Sequence, residues 1–324
     1  MPLRDIRGQE KAVDILRSSI KEKRIAGAYL FLGPEGVGKA KTALEFVKSL
    51  NCQDAGDDAC GTCSSCERID KSAHPDIYII ERDSTGKKIS IDKVRALQKR
   101  LSLKPFESVY KAAIITGAEH MTEEASNCLL KILEEPPRDT VFILVAAGLK
   151  ALPATVISRC QVVRFRPLKR DDVNDILMKD FSTEKDEANF LSAIAGGNLD
   201  KALALKEKDA LAWKNRIIDT FNDASDFALS DDKGGILSRN RQSQMDAMDI
   251  LSGFFRDVLI YKITDDTGLI MNIDRQELIA DLAQRLDADR IQAYMKDIEN
   301  TKSLLESNCN AKLAIRSLGE KITV

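Results

Sequence analysis

Two groups of residues in this sequence have the types and spacing to do chemistry. The first is Gly33-Pro34-Glu35-Gly36-Val37-Gly38-Lys39-Ala40, which fits the pattern G-x-x-x-x-G-K. Glycines let backbone N–H groups close around phosphate oxygens, and a helix that starts there favours the anion. Gly33, Gly36, Gly38 and Lys39 are therefore a phosphate-binding set for ATP or ADP, with Lys39 meeting the terminal phosphates. The next position in such loops is Ser or Thr, whose hydroxyl binds Mg²⁺, but here it is Ala40. Thr42 lies further along the helix on another face and cannot simply substitute. Hydrolysis also needs an acidic residue at the end of a nearby strand to hold Mg²⁺. The strand that should supply it ends in Thr116-Gly117, and Glu119 and His120 fall past its end as surface residues. The loop keeps the parts that hold a nucleotide and lacks those that cleave one.

The second group is Cys52, Cys60, Cys63 and Cys66, spaced C-x7-C-x2-C-x2-C. Thiolates are soft ligands, and tight x2 spacings let neighbouring cysteines converge on one tetrahedral Zn²⁺. Gly61 permits the sharp turn between ligands. Four ligands fill the shell, so the zinc is expected to be structural, with no open position for catalysis. His74, in His74-Pro75-Asp76, reads as a turn residue outside that full shell. Cys128, Cys160 and Cys309 are isolated and read as small buried hydrophobes.

These residues need elements to hold them. Apolar runs at Ala28–Leu32, Ile77–Glu81, Ala112–Thr116, Val141–Ala146 and Gln161–Phe165 read as strands. Helices are expected between them, over Lys11–Lys23, Gly38–Leu50 and Ile91–Leu103. A further helix is capped by Thr122 and stopped by Pro136-Pro137. Strands alternating with helices predict a parallel sheet with helices on both faces, an α/β P-loop domain over residues 1–167 with the cysteine knuckle at 52–66 inserted in it. After Pro167 only helical periodicity remains. A small helical lid is expected over 168–207 and an all-α C-terminal domain over 208–324. Its helices are predicted at Ala210–Asn222, Ile236–Ile263, Arg275–Leu286 and Arg290–Gly319, and Asp223–Gln242, rich in Asp, Ser, Gly and Asn, reads as a mobile connection.

Composition sets outer limits. The 324 residues carry 49 Lys plus Arg against 51 Asp plus Glu, a formal net charge of −2. A free-standing basic nucleic-acid binder, with pI above ~9, is excluded. No apolar run approaches the ~18 residues of a membrane span, and Met1-Pro2-Leu3-Arg4-Asp5 lacks the apolar core of a secretory signal. Clustered thiols without such a signal point to a metal site in a reducing cytoplasm.

Several motifs then occur together and in order. Asn127-Cys128-Leu129-Leu130-Lys131-Ile132-Leu133-Glu134-Glu135-Pro136-Pro137 closely resembles the N-A-L-L-K-x-L-E-E-P-P signature of bacterial DNA polymerase III clamp-loader subunits, an AAA+ family. Ser158-Arg159-Cys160 is similar to that family's S-R-C motif. Gly8-Gln9 and Ser307-Asn308-Cys309-Asn310 extend the resemblance along the chain, and the cysteine knuckle follows the P-loop helix as it does in those proteins. The departures identify the type of subunit. The ATPase motors, gamma and tau, keep Thr in the phosphate loop and Asp-Glu at the strand end, where this chain has Ala40, Thr116 and Gly117. Ala147 stands where a motor has a polar sensor, and Asp200, in Gly196-Gly197-Asn198-Leu199-Asp200, replaces the arginine of the lid sensor.

The resemblance therefore implies a non-hydrolysing stator, not an enzyme as an isolated chain, with a self-sufficient gamma/tau-like ATPase motor as the alternative. It implies that Arg159 reaches the γ-phosphate of ATP bound by a neighbouring motor subunit, where a guanidinium supplied in trans is worth ~10³–10⁵ in rate. It implies that the C-terminal helices form part of a ring-shaped collar with the motor and delta subunits, in a hetero-pentamer that loads a sliding clamp. It also implies that the AAA+ module faces primer–template DNA, where Lys93, Arg95, Lys99 and Arg100, on or beside the Ile91–Leu103 helix, would meet phosphates.

Overall fold

A computed structural model describes residues 2–54, 56–81, 88–149, 152–222, 240–307 and 309–322. The chain packs as two compact units, Met1–Ile176 with Gly196–Lys201, and Leu177–Ala195 with Ala202–Val324.

The first unit is built on five parallel strands: β1 (Ala28–Leu32), β2 (Ile77–Ile80), β3 (Lys111–Thr116), β4 (Thr140–Ala146) and β5 (Gln161–Arg164). Their order across the sheet is β2-β3-β4-β1-β5. Strands β1, β3 and β4 lie inside the sheet with helices over both faces, which is why they read as near-continuous apolar runs. The period of two still sorts their side chains. Leu30, Leu32, Ala113, Ile115, Phe142 and Leu144 face a core completed by α4 (Ile91–Leu101) and α5 (Glu123–Glu134). Tyr29, Phe31, Ala112, Ile114, Val141 and Ile143 face the opposite core, against α1 (Glu10–Lys21) and α2 (Lys39–Leu50). Tyr29 meets Phe46 edge-on at 5.1 Å between ring centroids, fixing α2 behind the phosphate loop.

The predicted strands and helices of this unit match to within one or two residues at their ends. Thr122 caps α5 by accepting the Ala125 N–H at 3.2 Å. Two short helices were not predicted: α3 (Ser64–Asp70), which carries Cys66, and α6 (Ala154–Ile157), just before Arg159.

Helices α7 (Arg170–Asp180), α8 (Lys185–Ala195), α9 (Leu199–Glu207) and α10 (Ala210–Asn222) follow, then α11 (Arg241–Thr264), α12 (Gln276–Arg285), α13 (Ala288–Glu306) and α14 (Ala311–Lys321). Helix α11 is the spine of the second unit and packs on α10, α12 and α13. Its Phe255 lies edge-on to Tyr294 of α13 at 5.4 Å. The expected continuous helix over Arg290–Gly319 is two helices, because Asn310 accepts the N–H groups of Lys312 and Leu313 and starts α14 afresh. Most of the connection expected at Asp223–Gln242, residues 223–239, lies outside the described residues, as does Asn308. No described helix is long and apolar enough to cross a membrane.

Candidate functional site

The phosphate loop joins β1 to α2 beside the point where the sheet order turns from β4 to β1 and β5. Gly36 and Gly38 take φ values of +68° and +87°, a region in which side chains other than glycine are strained. Gly33 lies against the backbone of Phe165, where a Cβ would come within 2.5 Å of the carbonyl oxygen. Gly36 lies against the segment 196–201. Its carbonyl accepts the Leu199 N–H at 2.8 Å, and a Cβ there would meet Asn198 Oδ1 at 1.8 Å. Asn198 Oδ1 also accepts the Lys201 N–H at 2.9 Å, so it stays in place as the first turn of α9 forms.

Lys39 is buried, and its ammonium donates to the loop's own carbonyls, Gly33 O at 2.5 Å and Pro34 O. Burial lowers its pKa below the ordinary lysine value, while the carboxylates of Glu119, Glu35 and Asp200 act in the opposite direction. One cation therefore sits among three acidic groups. Ala40 is exposed on the first turn of α2. Thr42 is fully buried, and its hydroxyl donates to Gly38 O at 2.8 Å, inside the helix.

At the end of β3 the Thr116 hydroxyl donates to Ile80 O of the next strand at 3.3 Å. Gly117, at φ +66°, turns the chain into a 3-10 turn over Ala118–His120. This turn corrects the reading of Glu119 as a surface residue. Glu119 is half-buried, and its Oε1 accepts the Ala147 N–H at 2.9 Å, joining the ends of β3 and β4. Only the three-residue offset from the strand end could have signalled this.

Arg159 lies in the turn from α6 to β5. Its Nη1 donates to Thr155 O at 3.0 Å and its Nη2 to Glu134 Oε1 at 2.7 Å. The S-R-C motif and the E-E-P-P motif therefore meet in one ion pair, whose side chains are 35% and 51% exposed.

The four cysteine thiols gather as their spacing predicts. Their Sγ atoms all lie within 4.8 Å of one another, and a tetrahedral site with Zn–S near 2.3 Å asks for S···S separations of ~3.8 Å. Backbone N–H groups point at the sulfurs: Cys60 N–H to Cys52 Sγ at 3.3 Å, Cys63 N–H to Cys60 Sγ at 3.2 Å and Thr62 N–H to Cys60 Sγ at 3.4 Å. Gly61, at φ +78°, makes the turn that aims two of them. Burial pushes the Cys63 thiol up, but the N–H groups of Cys66 and Gln53 outweigh it and hold the thiol down to about 6. Burial raises the Cys66 thiol. Four convergent sulfurs with N–H donors fit a structural Zn²⁺.

His74 is buried outside this group, and its Nδ1 accepts the Asp76 N–H at 3.3 Å. The four cations of α4 are not brought to one face. Lys93 donates to Glu81 O at 3.1 Å, and Arg100 lies 5.7 Å from the Tyr78 ring centre. Both line a cavity of about 660 Å³ beside β2. Arg95 and Lys99, one turn apart, are exposed, as is Arg100, while Lys93 is half-buried.

Known proteins resemble the chain along most of its length. The family described as "DNA polymerase III, delta subunit" matches residues 8–169, and "DNA polymerase III, delta subunit, C terminal" matches 234–318. DNA polymerase III subunit delta′ of Bacillus subtilis is 30% identical over 320 residues, which cover 94% of this chain and 93% of that protein. Subunit tau of the same organism is 28% identical over 91% of this chain, which spans 56% of that longer protein. Among solved structures, a DNA polymerase III gamma-subunit-related protein of Thermotoga maritima aligns with 96% of this chain and 98% of its own, at 18% identity and a TM-score of 0.39.

Proposed function

We propose that this chain, which belongs to the DNA polymerase III clamp-loader family, is the delta′-type stator of that complex. It binds the gamma/tau motor subunits and the delta subunit in a cytoplasmic hetero-pentameric ring. It hydrolyses no ATP itself, and it supplies Arg159 to a neighbour's ATP site while the sliding clamp is loaded on primed DNA. The domain division at 167 and 207, into AAA+ module, lid and collar, is part of this reading. So is one structural Zn²⁺ on Cys52, Cys60, Cys63 and Cys66.

One observation carries the stator reading: the phosphate loop is intact in shape, yet every position that would activate Mg²⁺ or water is filled by something else. Ala40 offers no hydroxyl, and the hydroxyls of Thr42 and Thr116 are engaged by backbone carbonyls. Ala147 offers only its N–H, which Glu119 takes. Asp200 brings a negative charge where a phosphate would need a positive one. Without a metal ligand and a positioned water, hydrolysis loses its main electrostatic terms. The motor alternative is kept by the 28% identity with tau. Steady-state assays separate the two. The isolated chain should show no DNA-stimulated ATP turnover, and robust turnover would make it a motor. In the reconstituted complex, Arg159→Ala should leave the chain folded and depress hydrolysis at the neighbouring site by up to ~10³–10⁵. Unchanged hydrolysis and clamp loading would remove Arg159 from that role.

A further inference from the structure

The seven residues between Cys52 and Cys60 do more than space two ligands. Within them, Asp58 accepts the Leu3 N–H on Oδ1 at 2.7 Å and the Arg4 N–H on Oδ2 at 3.0 Å. The same carboxylate accepts the Ala59 N–H at 2.8 Å and the Ser49 hydroxyl of α2 at 3.3 Å. Beside it, Asp57 pairs with Arg17 of α1 at 2.6 Å. Leu3 is fully buried in the core beneath α1 and α2. The N-terminal arm that starts here ends at the phosphate loop. Gln9 is buried, donates to Val37 O at 3.4 Å and Arg166 O at 2.7 Å, and accepts the Arg166 N–H at 3.1 Å. Residues 3–9 thus run from the cysteine loop to the phosphate loop, hydrogen-bonded at both ends.

We propose that the metal site serves as a tether for this arm, with Asp58 as the positioning residue that transmits its hold. Cross-linking Cys52 and Cys60 through a metal closes the loop between them and removes most of its conformational freedom. Asp58 is then fixed where one carboxylate can accept two amides of the arm, and such charge-assisted bonds are stronger than neutral ones. With the thiols released, the loop is held only by the contacts of Asp57 with Arg17 and of Asp58 with Ser49, and the arm's anchor, 55 residues distant in sequence, is weakened. Gln9 is then held against the phosphate loop firmly from one end only.

This inference rests on the zinc reading, so metal content is measured first, on the whole chain as purified. Hydrogen–deuterium exchange then follows residues 3–9, with β4 as an internal control. Chelation should speed exchange of the arm by about tenfold or more, the weight of one lost charge-assisted bond, while β4 stays protected. Asp58→Ala should do the same with zinc content unchanged, and Asp58→Asn, which keeps one acceptor oxygen, should give a smaller rise. Absence of zinc would sink the metal reading and this inference with it. One zinc per chain with an arm that stays protected after chelation would overturn the tether alone. Exchange spreading through β4 on chelation would make the metal a general staple and also overturn it. Should Asp58→Ala fail to fold, the chelation experiment still decides.

Discussion

Arg159 and Glu134 illustrate how little an exposed ion pair constrains a residue. At 2.7 Å the geometry is good, but a pair this open to water contributes only about 0–1 kcal/mol. Such a pair orients the guanidinium without trapping it, which leaves it free for the role proposed for it above. His74 and Asp76 are the opposite case. Both are buried, and neither their types nor their spacing in His74-Pro75-Asp76 announced a network. Asp76 accepts the N–H groups of Phe106, Glu107 and Ser108, which hold its carboxyl below the usual range although burial pushes it up. Those donors lie about thirty residues away, so no local pattern could show them. Burial lowers the His74 pKa below about 6.5, while Glu107 and Asp76 act the other way. The unfolded chain therefore binds the proton first. Stability is intact above about pH 6.5 and falls as pH drops from there toward the folded value, by at most ~1.4 kcal/mol per pH unit. Asp76 adds a second loss, setting in only below the usual carboxylate pKa of about 3.9. Thermal melts of wild type and His74→Asn between pH 7 and 5 should show a shallower decline for the variant. Parallel declines would acquit His74.

Among the elements, legibility follows the range of the interactions that make them. The Thr122 cap, the Pro136-Pro137 stop and the five strands were readable because each depends on neighbours within a few positions. Helix α6 is four residues long, too short for any periodicity to appear. The break between α13 and α14 was missed because apolar spacing continues across it and hides the Asn310 cap. Least legible was the packing of α8, α10 and the 3-10 turn at Ile273–Arg275. Lys214 of α10 is fully buried, and its ammonium donates to both oxygens of Asp274 at 2.6 and 2.7 Å. The Phe190 ring of α8 lies 4.7 Å from the same ammonium. Removing one partner of a buried pair leaves an uncompensated charge and costs roughly 3–5 kcal/mol. Asp274→Ala should therefore destabilise the second unit by about that much. Trp213, the single tryptophan and the residue before Lys214, is a built-in probe of its urea unfolding. The double variant Lys214→Met with Asp274→Leu should recover most of the loss, because apolar replacement of both members is often neutral. An Asp274→Ala transition within 1 kcal/mol of wild type would mean that the pair holds nothing together.

For the whole molecule, the near-balance of 49 basic and 51 acidic residues bears on how DNA would be held. Non-specific DNA affinity comes from neutralised phosphates and the counterions they release. A chain of net charge −2 has no surplus of cations to neutralise many phosphates by itself. The α4 cations narrow this further. Lys93 is half-buried and engaged beside β2, whereas Arg95 and Lys99 on one face and Arg100, beside the Tyr78 ring, are exposed. At most about three phosphate contacts are then expected from α4, about two of them from the Arg95 and Lys99 face, and they should matter only when other subunits place DNA against it. The isolated chain should bind primed DNA no better than the ~10⁻⁴ M end of non-specific affinities at physiological salt. In the assembled complex, the double variant Arg95→Ala with Lys99→Ala should reduce the slope of log K against log salt by up to ~2, at about 0.9 per lost contact. It should weaken binding by a similar factor for every sequence, because phosphate contacts read no bases. An unchanged slope would place the Arg95 and Lys99 face of α4 away from the DNA. A loss confined to certain sequences would mean that these side chains reach base edges, which a solvent-facing pair one turn apart on a surface helix gives no reason to expect.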